Sequence, residues 1–299
     1  MTIRYFPVVS NPDQPSILVT GGSTGIGYAT VECLAQDGCL VFAGVRREED
    51  GDRLLATFGE RVHPIRLDVT SAADIEEARV TVESRLSGGG LAGLINNAGI
   101  AIGGPLEYVS PDTLRKQLEV NVVGLHAVTS AFLGMIRQGH GRIVHIGSIS
   151  GRIASPFIGP YAASKHAVEA LTDSLRLELQ PCGIHVSVIE PGQVRTPIWE
   201  KGVQLSGAIQ GQIPPQGISR YQSRLRAFRY LLEQAPRHAM EAREVAQAVR
   251  HALFAPEPRT RYVLGKDARI RLLLSRILPN RVMDALVARF FAKLEQRAT

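Results

Sequence analysis

The chain has 299 residues, 44% of them hydrophobic, with a formal net charge of +6. That length can bury one large core and allows one or two domains. The three cysteines, Cys33, Cys39 and Cys182, lack metal-ligand spacing and are too few for a disulfide scaffold. They point to a reducing, cytoplasmic setting. Residues 1–15 hold three prolines and no long apolar run, so no signal segment is expected. No run approaching 18 apolar residues is found, so no membrane span is expected either.

The predicted elements alternate strand and helix. Residues 16–20, S-I-L-V-T, are short, apolar and β-branched, as a buried strand requires. They run into G21-G-S-T-G-I-G27, then a helix over 28–37 that Gly38 stops. Strands are expected at 40–45 and 62–67, a helix at 72–86, a flexible link at 87–93 and a strand at 94–97. Ser110 and Pro111 open a helix running through Asn121 to about 138. A strand at 142–147, a helix at 161–179, a strand at 184–190 and a late strand at 260–264 complete the series. This alternation predicts an α/β fold in one domain over 1–299, a doubly wound parallel sheet of Rossmann type. No internal repeat interrupts it.

Two motifs carry chemistry. A strand, a glycine-rich turn and a helix together place a pyrophosphate on helix N-terminal amides. Here the spacing is G-x-x-x-G-x-G, unlike the G-x-G-x-x-G fingerprint. The second motif is Y161-A-A-S-K165, thirteen residues after Ser148. Residues i and i+4 share a helix face. A phenol has an ordinary pKa of about 10. A cation ~4 Å away, at an effective dielectric of about 20, would lower that by about three units. Tyr161 is therefore expected to titrate near neutrality, where an acid/base catalyst works best.

Taken in order, T20-G-G-S-T-G-I-G27, D68-V69, N96-N-A-G99, Asn121, Ser148, Y161-A-A-S-K165 and P191-G-Q-V-R-T196 resemble the short-chain dehydrogenase/reductase family. The likeness is close over 16–200 and looser beyond, and nearest the retinol and hydroxysteroid dehydrogenase branch. It implies a seven-stranded parallel sheet with helices on both faces. It implies an oxidoreductase acting on CH–OH or C=O, with Tyr161 as general acid/base. Lys165 would lower the Tyr161 pKa and hold the nicotinamide ribose, and Ser148 would bind the substrate oxygen beside Tyr161. Asn121 would hold a water that links Lys165 to solvent. The resemblance places the cofactor against Gly21, Ser23, Thr24, Gly25, Ile26 and Gly27, against Asp68 and Val69, and against Asn97, Ala98 and Gly99. Tyr161, Lys165, Pro191, Gly192, Val194 and Thr196 would complete that site.

Cofactor choice is expected at the end of the second strand. A carboxylate there would bond a ribose 2′-hydroxyl, but the position holds Val45, followed by Arg46 and Arg47. Arginine beside a missing carboxylate favours NADP(H), with NAD(H) left open. Residues 198–235 stand where the family has its substrate loop and helices. Ile198, Trp199, Val203, Leu205, Ile209 and Ile213 make that segment apolar. Gly99, Ile100, Ala101, Ile102, Phe157 and Ile158 are expected to add to the pocket, which suits a lipophilic alcohol or ketone such as a steroid or retinoid. Residues 267–299 are basic and apolar, broken at Pro279. They are expected to form amphipathic helices serving as a lid, a contact between copies in a homodimer or homotetramer, or a peripheral membrane contact. No metal site is expected. The histidines lack ligand spacing, and the arginines at 219–237 lack a stacking platform, so nucleic-acid binding is not expected. A non-catalytic nucleotide-binding protein of the same fold is the alternative, disfavoured by the intact Asn121, Ser148, Tyr161 and Lys165 set.

Overall fold

The computed structural model describes residues 14–86, 88–198 and 213–297. Among them, seven parallel strands form one sheet. They are β1 (Ser16–Thr20), β2 (Leu40–Val45), β3 (Val62–Arg66), β4 (Gly93–Asn96), β5 (Arg142–Ile146), β6 (Val186–Pro191) and β7 (Arg261–Leu264). Their order is β3-β2-β1-β4-β5-β6-β7, so the winding reverses between β1 and β4. In such sheets ligands sit outside the carboxyl ends at that reversal. Central strands β1 and β5 are buried at every position, as a sheet covered on both faces requires.

Two apolar layers cover the sheet. On one face lie α1 (Gly25–Gln36), α2 (Glu48–Phe58) and α8 (Ala242–Phe254), through Val31, Leu34, Leu54, Val245 and Val249. On the other lie α3 (Ala72–Leu86), α5 (Gly124–Gln138) and the end of α6 (Gly159–Leu179), through Ile75, Val82, Phe132, Ile136 and Leu179. Phe42 and Phe132 are fully buried, and each such side chain contributes roughly 1.5–3 kcal/mol by leaving water.

Several elements differ from expectation. Helix α1 starts at Gly25, inside the glycine motif, which brings its N-terminal amides into the loop itself. Neither α2 nor α8 was expected. In α2 only Gly51 and Leu54 are buried, so the segment carries no readable apolar stripe. In α8 six small or branched apolar residues do form one, and the Glu241–Glu244 capping box marks its start. The helix opened by α4 (Pro111–Leu118) continues through a π turn (Glu119–Val123) into α5. This 28-residue stretch, Pro111–Gln138, is long and apolar enough by length and composition alone to cross a membrane. Leu125, Val128, Phe132, Met135 and Ile136 are buried against the protein, Val123 is exposed, and Gln117, Asn121 and Thr129 are buried within it.

Past residue 212 come α7 (Pro215–His238), α9 (Lys266–Ile277) and α10 (Asn280–Arg297). Pro279 separates the last two as expected. Phe291 and Leu294 of α10 pack against Ala227 of α7 and against Phe157, forming a separate apolar cluster.

His145, buried on β5, shares a 2.8 Å hydrogen bond between Nδ1 and Thr172 Oγ1. Burial, with the Lys165 charge nearby, lowers its pKa from 6.5 to about 3. The unfolded chain therefore binds more protons between those values. The stability contributed by the neutral ring is complete above about pH 6.5 and is lost as pH falls toward 3. His145→Val should flatten this limb. Its Tm should drop less than that of the wild type between about pH 7 and about pH 5; parallel drops in thermal melts would show that His145 does not set the acid limb.

Candidate active site

The carboxyl ends of β1, β4, β5 and β6 open onto one cavity of about 560 Å³. Its lining includes Ser148, Tyr161 and Lys165, together with Ile26, Asn97, Gly99 and Thr196. Ser148 follows β5, and its Oγ accepts from Ser150 N–H at 3.1 Å, which fixes the rotamer. Tyr161 and Lys165 occupy the first turns of α6 and are both buried. Lys165 Nζ donates to Ile146 O at 2.6 Å and stands 5.8 Å from the Tyr161 ring centre.

The electrostatics differ from the sequence expectation. Burial pushes the Tyr161 phenol up from its ordinary value, and the hydrogen bond with Ser148 acts the other way. Burial likewise pulls Lys165 down to about 8, against the opposing effect of Glu169 one turn on. The reason is common to both groups: an enclosed site disfavours phenolate and ammonium alike. The cation stands 5.8 Å from the ring centre and is bound to a strand-end carbonyl.

Asn121 lies in the π turn, fully inside the protein. Its Oδ1 accepts from Ile100 N–H at 2.9 Å, and its Nδ2 donates to Ile100 O at 3.0 Å and to Ser164 Oγ at 3.0 Å. Both amide hydrogens are thus committed to the protein. The side chain ties the loop after β4 to α6, which limits its part in holding a water to the spare acceptor capacity of Oδ1 and the main chain.

The glycine loop fits a dinucleotide. Gly25 has φ +58, and a Cβ on Gly27 would stand 2.1 Å from Gly21 O, so only glycine permits this crossing of loop and helix. The Thr20 hydroxyl accepts from Asn97 N–H at 3.0 Å and Ala98 N–H at 2.9 Å. Asn97 Nδ2 donates to Thr20 O at 2.9 Å and Gly21 O at 3.0 Å. The Asn97 amide therefore holds the loop itself. Pro191, Gly192, Val194 and Thr196 line the facing wall. Asp68 Oδ1 accepts from Thr70 N–H at 2.9 Å and Oγ1–H at 2.7 Å. The Val69 side chain points into the core, leaving its backbone for any cofactor contact. Ser23 O accepts from Arg53 Nη2 at 3.3 Å, and Thr24 is the N-cap residue of α1.

Arg46 and Arg47 are exposed at the end of β2. They border a hollow of about 220 Å³ shared with Gly51, Pro64 and Arg66. Of the expected pocket residues, Gly99, Ile100, Ile158 and Ile198 line the main cavity. Ala101, Ile102 and Ile213 are buried, and Phe157 sits in the cluster beneath α10. Trp199, Val203, Leu205 and Ile209 lie outside the described residues. Phe228 and Leu231 fall in the 198–235 segment expected to hold the substrate helices, though neither was singled out, and Asp267 and Arg271 in the cavity wall were missed. Their helices sit far along the chain, and no local pattern turns them toward Ser148. Among the described residues, no cluster of metal-ligating side chains forms.

A doubly wound parallel sheet with a glycine loop and a Ser, Tyr and Lys cluster at its switch point defines a dinucleotide-binding oxidoreductase of the α/β class. The short chain dehydrogenase family model matches residues 15–204, and the chain belongs to that family. Retinol dehydrogenase 5 of Mus musculus is 36% identical over 280 residues, covering 91% of this chain and 87% of that protein. The 17-beta-hydroxysteroid dehydrogenase type 6 of Bos taurus is 35% identical over 303 residues, covering 98% and 95%. A short chain dehydrogenase from Burkholderia cenocepacia in complex with NADP superposes with TM-score 0.70 at 26% identity, covering 93% and 98%. One from Burkholderia phymatum in complex with NAD gives TM-score 0.77 at 24% identity, covering 91% and 95%, a likeness of fold.

Proposed function

We propose that this chain reduces a carbonyl on a lipophilic substrate, or oxidises the matching alcohol, with NADP(H) preferred over NAD(H) and Tyr161 as the acid/base group. The observation that carries this reading is the convergence of Ser148, Tyr161 and Lys165 on one wall of a largely apolar cavity facing the glycine loop. When bound, the nicotinamide cofactor supplies or accepts the hydride. Gly21 to Gly27, Asn97 to Gly99, Lys165 and Pro191 to Thr196 would hold it.

The protein's own groups then divide the work. Ser148, oriented by Ser150 N–H and hydrogen-bonded to Tyr161, presents its hydroxyl where it would stabilise charge developing on the substrate oxygen. Tyr161 is the proton donor in reduction and the acceptor in oxidation. Lys165 is fixed by Ile146 O at the sheet end, from where it can reach a ribose while remaining beside the phenol. Ile100, Ile149, Ile158, Ile198 and Phe228 give the cavity its lipophilic character. Val45 in place of a carboxylate at the end of β2, followed by Arg46 and Arg47, supports NADP(H), although Glu48 and Asp52 line the same hollow.

The C-terminal helices suit a place on a membrane surface. Ile270, Leu273, Ile277, Val282, Leu286 and Phe290 are exposed there, among Arg269, Arg276, Arg281 and Arg289. An apolar face with flanking cations lies well at an anionic interface.

Three experiments test these readings. Tyr161→Phe should lower kcat by about 10²–10⁴ with fold and cofactor affinity retained; unimpaired turnover of a retinoid, steroid or aliphatic ketone panel, followed by NAD(P)H absorbance, would remove Tyr161 from the mechanism. Arg46→Ala should weaken NADPH binding about tenfold or more and leave NADH binding unchanged, whereas equal losses by fluorescence titration refute the phosphate assignment. The full chain should co-sediment with phosphatidylserine vesicles and lose this with Leu273→Asp and Ile277→Asp together; a chain that stays in the supernatant has no such surface.

A further inference from the structure

One polar group in the cavity wall has no part in the chemistry above. Arg271 projects from the second turn of α9 and lines the same cavity as Ser148 and Tyr161. Its Nη2 donates to Ser155 Oγ at 2.9 Å. Ser155 itself belongs to the loop that carries Ser148 out of β5, so the guanidinium is tied to the substrate side of the site.

Among the described residues Arg271 enters no ion pair. Asp267, one turn earlier on the same face, acts on it only through space. The Asp267 carboxylate lies instead against the turn after β6: a Cβ on Gly192 would stand 2.8 Å from its Oδ2. Burial accordingly pulls the Arg271 pKa below its usual value, with Asp267 opposing. A guanidinium offers five N–H donors in a planar fork, and a single neutral hydroxyl uses one of them. The neighbouring walls from Ile149, Ile158, Leu231 and Leu232 are apolar. A half-buried cation with unfilled donors in such surroundings matches a carboxylate accepting two parallel hydrogen bonds.

We propose that Arg271 is the recognition point for a carboxylate on the substrate, remote from the reacting carbonyl, so that the substrate is a lipophilic oxo or hydroxy acid rather than a neutral lipid alcohol. This rests on the reading of the cavity as a substrate site but not on the identity of the acid/base group. Apolar walls take the chain of the molecule, Ser148 and Tyr161 take its oxygen, and Arg271 sets its direction and rejects uncharged analogues. The same guanidinium could serve an anion from another source, the cofactor's phosphates, and the test separates the two.

Decanoate and decanamide are titrated by calorimetry into the wild-type chain saturated with NADPH, or with NADH if that binds tighter. The expected result is decanoate binding roughly tenfold to hundredfold tighter than decanamide. Arg271→Met should abolish that preference, Arg271→Lys should keep part of it, and neither should change cofactor affinity. Tyr161→Phe should keep the preference in full, which separates failure of this proposal from failure of the acid/base assignment. Equal affinity for the two ligands, or no decanoate binding by the wild type, overturns the proposal. Weakened cofactor binding in Arg271→Met moves the residue to the cofactor and overturns it equally.

Discussion

Backbone groups that leave a parallel sheet at its carboxyl edge lose their ladder partners and must find others, because an unpaired buried amide or carbonyl is costly. In this protein the residues that meet that demand are the ones that make the site. Thr20 and Asn97 bind the backbone between the ends of β1 and β4. Lys165 takes the last carbonyl of β5, and Asn121 takes both polar groups of Ile100 beyond β4. Satisfying the sheet end and presenting functional groups to the cavity are one arrangement. Changes at these positions therefore act on stability.

A second consequence of full burial is that the site disfavours the charged form of its titratable groups. The enclosed phenol, imidazole and ammonium of Tyr161, His145 and Lys165 all move away from charge. Behind them, opposite charges are gathered on the sheet. Arg261 binds Glu190 at 2.9 Å and also pairs with Glu169 and Asp173, and Arg152 reaches Glu190 at 3.3 Å. Glu190 is completely buried on β6, and its neighbour Glu169 is raised to about 7 by burial and by the Glu190 charge. This cluster joins α6, β6 and β7. A buried pair of this kind is poor evidence of net stability, but removing one partner leaves an uncompensated charge. It anchors the helix that carries Tyr161 and Lys165.

The far end of the chain completes the cavity from outside the sheet. Helix α7 supplies Phe228, Leu231 and Leu232 to the wall. Helix α10 packs behind α7, with Phe291 and Leu294 against Ala227 and Phe157. Helix α9 brings Asp267 and Arg271 to the opening. The cavity wall thus joins segments after residue 212 to the loops and the helix α6 at the carboxyl edge of the sheet.

The chain's own letters determined the strands, the glycine turn and the pairing of Tyr161 with Lys165, because each is a local pattern: alternation, tight-turn composition, or spacing along a single helix. The family likeness of 16–200 rested on the same short motifs. Helix α2 was not legible, since a single buried leucine and one glycine leave no period to detect. Only tertiary packing decided that burial would raise the Tyr161 pKa, that Asn97 and Asn121 would spend their amides on backbone, and that Arg271 would reach the cavity. Those outcomes depend on dielectric surroundings and on contacts between residues far apart in the chain, such as Arg271 and Ser155. Spacing along the chain carries no record of either.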